Sequence, residues 1–272
     1  MSVFKSEMRG KTIELNKSDA AVGVHELCGT KREISQHEED VCWKKERNAK
    51  RIKKAAVFAI SVFVLAVTII SLTNFAKRRI QQNHFEEKIT ASSVGDCIQF
   101  GMYEQDNDLS NGKEPIDWLV LDKTDSRVLM ISKYGLDCKQ YNSTYIYAAW
   151  EECSLMTWMN EIFPKETFSS AEWSVIQGSG NISAEIFLLS TNEVNKYFSS
   201  DDEKMCEPTK YAAANGAYVN GRSGNCWWWL RSPGADQNCV ACVRDDGSVY
   251  YNGRLAGSTY GCVRPAVLFS RK

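Results

Sequence analysis

The sequence predicts an α+β domain, built from a mixed sheet with a few short helices and preceded by a single transmembrane helix. Three observations predict it. Residues 55–76 carry no charge, short segments of period-2 hydrophobicity recur later in the chain, and strands and helical segments follow no regular alternation, which argues against a doubly wound parallel sheet. With 43% apolar and 25% charged residues among 272, the composition is globular and excludes a disordered or collagenous chain.

The uncharged stretch Ala55 to Ala76 reads AAVFAISVFVLAVTIISLTNFA. At 1.5 Å per residue it reaches about 33 Å, enough for a hydrocarbon core of about 30 Å. A signal peptide would place a shorter apolar core near Met1, whereas this one begins 54 residues in. A buried core helix rarely runs this long without a polar face.

The formal net charge of -1 averages over two regions. Residues 1–54 hold 13 basic and 9 acidic side chains, and residues 77–272 hold 20 and 25. An acidic folded part excludes nucleic acid as a partner, since a binder of that class shows a basic stripe. Lys44, Lys45, Arg47, Lys50, Arg51, Lys53 and Lys54 precede the span, while Lys77, Arg78, Arg79 and Lys88 follow it. Basic residues resist translocation, so the bias predicts a cytoplasmic N-terminus and an extracytoplasmic C-terminal domain at the cell membrane. The chain then divides into a basic tail (1–54), a transmembrane helix (55–76), a juxtamembrane linker (77–91) and one domain (92–272). The bilayer is the first partner, with Lys44 to Lys54 each contributing about 1 kcal/mol against anionic lipid.

Within the domain, Gly95 to Tyr103 sets Cys97, Gln99, Gly101 and Tyr103 against Ile98, Phe100 and Met102, a strand alternation. Asp117 to Asp122 and Arg127 to Ser132 flank the polar Lys-Thr-Asp-Ser and predict a hairpin. A helix follows, because Leu155, Trp158, Met159 and Ile162 recur at i, i+3, i+4 and i+7, Glu151 and Glu152 open it, and Pro164 stops it. Glu172 to Ile176 predicts another helical turn, Ile186 to Leu189 a short buried strand, and Thr191 the cap of a helix through Phe198. Thr209 to Asn215 reads as a helix ending at Gly216. Strands then dominate: Cys226 to Ser232, Asn238 to Arg244, Ser248 to Gly253 behind Asp246-Gly247 as a type I′ turn, and Cys262 to Phe269.

Eight cysteines follow the span: Cys97, Cys138, Cys153, Cys206, Cys226, Cys239, Cys242 and Cys262. An oxidising compartment permits disulfides among them, and free thiols packed as small hydrophobes fit equally well. In the tail, His25, Cys28, His37 and Cys42 offer zinc-type ligands, but their spacing matches no finger or ribbon and a short charged helix is the favoured reading. No metal and no cofactor is assigned. The last histidine is His84, so the later chain holds no imidazole base for a Ser or Cys nucleophile and none for a His-rich zinc site. No catalytic set is assigned.

GDCIQFGMYEQ (95–105), IDWLVLD (116–122), ISKYGLDCKQYN (131–142), TWMNEIF (157–163), FLLS (187–190), WWLRSPG (228–234) and GCVRPAV (261–267) together resemble the bacterial family called domain of unknown function 6273. The resemblance covers nearly all of residues 92–270. It implies little chemistry, although members are often tethered or secreted. The ending also resembles the C-type-lectin-like fold of formylglycine-generating enzymes and of the variable receptors of diversity-generating retroelements. Against a lectin calcium site, Glu207-Pro208-Thr209 only partly matches Glu-Pro-Asn and no Trp-Asn-Asp follows.

Alternation along Trp227-Trp228-Trp229-Leu230-Arg231 puts Trp227, Trp229 and Arg231 on one face. That face predicts either an aromatic platform for sugar rings or peptides, or a covered scaffold with Arg231 and Arg264 in buried ion pairs to acids such as Asp117 or Asp236. Arg222, Tyr250, Tyr251 and Arg254 on the Gly- and Asn-rich loops complete the candidate ligand-binding set. The leading expectation is a membrane-anchored extracytoplasmic module recognising a surface glycan, peptide or protein. The alternatives are a cysteine-dependent enzyme using Cys239 and Cys242 for copper or redox work, and a structural or signalling membrane subunit.

Overall fold

The computed structural model describes residues 19–144, 149–178 and 180–271, with side-chain exposure from residue 38 onward except at 182 and 183. The side chains of His25, Cys28 and His37 therefore lie outside the described residues. The chain divides into two units, Met1–Leu72 and Thr73–Lys272, and the first helix, α1 (Asp19–Ala91), contributes to both.

Among the described residues, one helical stretch is long and apolar enough to cross a membrane; its most apolar window has a mean hydropathy of 2.7 and none of it is buried by protein. The large apolar side chains from Val57 to Phe75 are 45–71% exposed. Such a surface is stable in hydrocarbon and costly in water.

The segment 77–91, expected as a linker, is helical. Gln82, Phe85, Glu86 and Ile89 are buried in the second unit, spaced at i, i+3, i+4 and i+7. Phe85 packs edge-on against Phe100 and Phe269, with ring centroids 5.3 and 5.9 Å away. Glu86 accepts the Asn181 backbone N–H at 3.0 Å, and the Lys123 ammonium closes the helix end by donating to the carbonyls of Thr90 and Ser92.

The domain holds two five-stranded sheets. The first comprises β1 (Cys97–Tyr103), β2 (Glu114–Lys123), β3 (Arg127–Ser132), β5 (Ile182–Phe187) and β10 (Ala266–Arg271), in the order β1-β2-β3-β10-β5 with antiparallel neighbours. The second comprises β4 (Asp137–Cys138), β6 (Trp228–Pro233), β7 (Cys239–Val243), β8 (Val249–Leu255) and β9 (Cys262–Val263), in the order β4-β9-β6-β7-β8, with a parallel β6–β9 contact. Short helices fill the connections: α2 (Ser154–Thr157), α3 (Phe163–Thr167), α4 (Ser170–Ile176), α5 (Thr191–Tyr197), α6 (Asp201–Lys204) and α7 (Lys210–Ala214). The α+β class follows, with few and short helices after α1.

Several local expectations change for identifiable reasons. The alternation in β1 breaks between Gln99 and Met102, where the register shifts and Gly101 takes φ +67°; Phe100 and Tyr103 both turn inward and Met102 outward. A Cβ at Gly101 would lie 2.8–2.9 Å from Thr167 and Phe168. The helix expected from Leu155 to Ile162 is α2 followed by a π turn over Trp158–Ile162. Pro164 then sits in the first turn of α3, where its missing N–H costs nothing, and so starts a helix instead of stopping one. Ser190, not Thr191, caps α5. At the β7–β8 hairpin, Gly247 has φ +80° and Asp246 does not share the left-handed region. Gly247 N–H bonds Arg244 C=O at 3.0 Å and Arg244 N–H bonds Ser248 C=O at 2.9 Å, a three-residue loop and not the type I′ turn.

Replacing Phe85 with Ala should lower the unfolding free energy of the full chain in micelles by about 3–5 kcal/mol, read by tryptophan fluorescence in denaturant. Phe75→Ala, on the lipid-type surface, should leave the transition unmoved, and equal effects of the two would contradict the docking of the helix end.

Candidate functional site

Both faces of β6 are covered. Trp227, Trp228 and Trp229 are 2%, 0% and 0% exposed. Trp227 and Trp229 meet edge to face at 4.8 Å, and Gly261 lies so close to the Trp229 ring that a Cβ there would clash with it. Trp228 points into the other core and donates its indole N–H to the Lys204 carbonyl at 3.1 Å. The tryptophans present no platform to solvent.

Arg231 leaves this buried run near the strand's end and reaches a groove. Its guanidinium donates to Glu193 Oε2 and Oε1 at 2.5 and 2.8 Å and to the Leu188 carbonyl at 2.6 Å, and it lies 4.9 Å over the Phe187 ring. Glu193 is fixed from its other side: as the third residue of α5 it accepts the Ser190 backbone N–H at 2.7 Å, while Ser190 Oγ accepts the Glu193 N–H, a closed capping box. Burial disfavours ionisation of Glu193, but the hydrogen bonds from Arg231 and Ser190 outweigh it and hold the carboxyl below its ordinary value.

The groove has a volume of about 410 Å³ and is lined by Trp150, Met156, Asn160, Glu185, Phe187 and the Arg231–Glu193 pair, within the range of small-ligand sites. It lies beside β5, an edge strand of its sheet. Glu151 also lines it, so three carboxylates face one guanidinium and the site favours neutral or cationic ligands.

The other candidates do not converge on it. Arg222 is exposed on its loop. Tyr250 lies beneath Arg244, 4.1 Å from its guanidinium carbon, and Tyr251 accepts a hydrogen bond from Asn195 of α5 at 2.7 Å. Arg254 stacks on Trp227 at 4.6 Å, with its Nε buried and unpartnered. Arg264 is 3% exposed and donates to the carbonyls of Ser132, Lys204 and Lys133 at 2.9, 3.3 and 3.4 Å. Neither arginine pairs with Asp117 or Asp236: Arg231 takes Glu193, and Arg264 takes backbone oxygens.

All nine described cysteines are unpaired thiols, Cys97, Cys138, Cys153, Cys206, Cys226, Cys239, Cys242 and Cys262 of the domain among them. The Cys226 thiol sits within hydrogen-bonding reach of both Cys206 and Cys262. Burial pushes Cys138 and Cys242 up to about 11 and Cys206 well above its ordinary value, which keeps these thiols protonated at neutral pH and weakens them as nucleophiles and metal ligands. Cys239, half-buried on β7, is raised as well.

The residues that the sequence reading passed over are Trp150, Asn160, Glu185 and Glu193. Ser190-Thr-Asn-Glu193 carries the capping-box spacing, a signal that would have located Glu193 at a helix start.

The sequence family described as a domain of unknown function (DUF6273) matches residues 125–270. Neither a curated protein nor a solved structure matches the chain.

Glu193→Gln should destabilise the protein at pH 7 by about 1.5–3 kcal/mol, the usual worth of hydrogen bonds to a charged group. The folded carboxyl is depressed, so its stabilisation is complete above the unfolded value near 4.3 and is lost as pH falls through the folded one. The difference in melting temperature between wild type and variant should therefore shrink below about pH 4; a gap independent of pH would contradict the pair.

Proposed function

Since this chain belongs to the family described as a domain of unknown function (DUF6273), whose description assigns no chemistry, we propose a function from its own surface: a membrane-anchored extracytoplasmic module that binds a neutral or amino-bearing glycan. The groove beside β5 carries this reading. Trp150 and Phe187 offer apolar ring surface, and Asn160, Glu185 and the Arg231–Glu193 pair offer donors and acceptors around it. Aromatic surface with fixed polar groups matches a sugar, whose C–H faces stack on rings while its hydroxyls take hydrogen bonds. The carboxylate excess disfavours acidic sugars.

The topology belongs to the same proposal. Basic residues are denser before the span than after it, which supports a cytoplasmic tail. The two small sheets and the closing Arg231-Ser232 and Arg264-Pro265-Ala266 segments support a C-type-lectin-like architecture. The protonated, largely buried thiols speak against the copper and redox alternative.

With the full chain in nanodiscs, calorimetry against neutral, amino-bearing and anionic oligosaccharides should show binding to the first two classes. Trp150→Ala and Asn160→Ala should each weaken it about tenfold, or 1.4 kcal/mol. Folded wild-type protein that binds none of them, or prefers a peptide, would overturn the glycan reading. Orientation has its own readout: a membrane-impermeant thiol reagent applied to intact cells should label the exposed Cys97 and spare the exposed Cys42, and the reverse pattern would invert the topology.

A further inference from the structure

The β1–β2 connection carries the segment Glu104-Gln-Asp106-Asn-Asp108-Leu-Ser110-Asn-Gly-Lys-Glu114, outside the residues that match the family. Antiparallel pairing of Tyr103 with Glu114 brings the two ends of the connection together. One carboxylate oxygen from each of Glu104, Asp106 and Glu114 lies within 4.8 Å of the others. Glu104 is only 6% exposed, and its Oε1 is buried with no hydrogen-bond partner. An acid removed from water is expected to face donors or a cation; here the Asn107 backbone N–H serves the carboxylate, Oε1 is left without a donor, and two more acids stand beside it.

We propose that Glu104, Asp106 and Glu114 form a calcium-binding site. An all-oxygen, carboxylate-rich set selects a hard cation over zinc or copper. Ligand number favours calcium over magnesium, because magnesium keeps several of its waters and takes one or two carboxylates, whereas three carboxylates converge here. The neighbouring oxygens are held in place. Glu114 Oε2 accepts the Gln105 N–H at 2.7 Å, and Asp106 accepts the Asp108 N–H and the Asn111 side-chain amide, each at 2.8 Å.

Calorimetry of the full chain in nanodiscs, titrated with calcium chloride, should give one site with a dissociation constant on the order of 10⁻⁴ to 10⁻³ M, the range of extracellular modules. Saturating calcium should raise Tm by roughly 3–10 °C, and equal magnesium should do much less. Glu104→Gln removes one charge from the carboxylate cluster: its Tm without calcium should equal or exceed that of wild type, while its calcium affinity drops at least tenfold. Asp106→Asn provides a second variant with the same expected loss. No heat and no Tm response from folded wild type, or wild-type affinity in both variants, would overturn the site.

Discussion

Burial of β6 on both faces is the constraint on which the rest of the domain depends. Trp228 and Leu230 enter one hydrophobic cluster, together with Leu129, Ile131 and Ala266 of the first sheet. Trp227 and Trp229 enter the other, which reaches through Tyr141, Leu155 and Met159 to Phe100, Trp118 and the α1 residues Phe85 and Ile89. Each indole buries on the order of 150–250 Å², so this strand joins two cores that would otherwise be separate. A strand committed in this way cannot also present rings to a ligand. Polar chemistry emerges where the commitment ends, at Arg231, Ser232 and Pro233, whose exposure rises along the strand.

The arginine drawn into those cores is held without an acid partner. The Arg264 guanidinium lies 5.0 Å over the Trp228 ring and donates to three carbonyls. Backbone oxygens satisfy its donors without bringing in a second charge that would itself need desolvation. Where an acid is buried it meets donors: Tyr103 donates to Asp137 at 2.6 Å, and Lys139 lies 3.0 Å from the same carboxylate. Glu104 departs from this pattern, since its Oε1 is buried without a donor and its charged neighbours Asp106 and Glu114 are acids.

Much of the fold was legible in the sequence, because its signals are local. The KTDS hairpin, the helix ending at Gly216, the apolar span and the phrases from Ile131 onward that fall within the family match all depend on residues a few positions apart. What failed depended on partners distant in the chain. Gly101 reads as one position of an alternating strand until Thr167 and Phe168 close over it and force a bulge. The face of Trp227 and Trp229 reads as platform or core, because alternation gives a face but not what covers it; here Tyr141 packs on Trp229 and Arg254 on Trp227. The Arg231 partner was unreadable for the same reason: Glu193 lies 38 positions away in the chain, while the named candidates Asp117 and Asp236 sit elsewhere. One missed feature was nonetheless local, namely the capping box at Ser190.

The apolar helix shows how composition and periodicity divide the work. From Val57 to Phe75 apolar residues face every direction, which suits a surrounding of uniform hydrocarbon and no particular protein neighbour. From Gln82 the pattern narrows to one face, with Phe85 and Ile89 buried while Lys88 reaches out to the Gln99 carbonyl at 2.5 Å. One-sided hydrophobicity is the mark of a helix that packs on protein. The change occurs within a few turns of the same helix, where Lys77, Arg78 and Arg79 supply the charges that a hydrocarbon core would exclude. Those three residues therefore separate two environments that the helix satisfies by different means, and a reading based on charge alone takes the second for a linker because its apolar positions are spaced instead of contiguous.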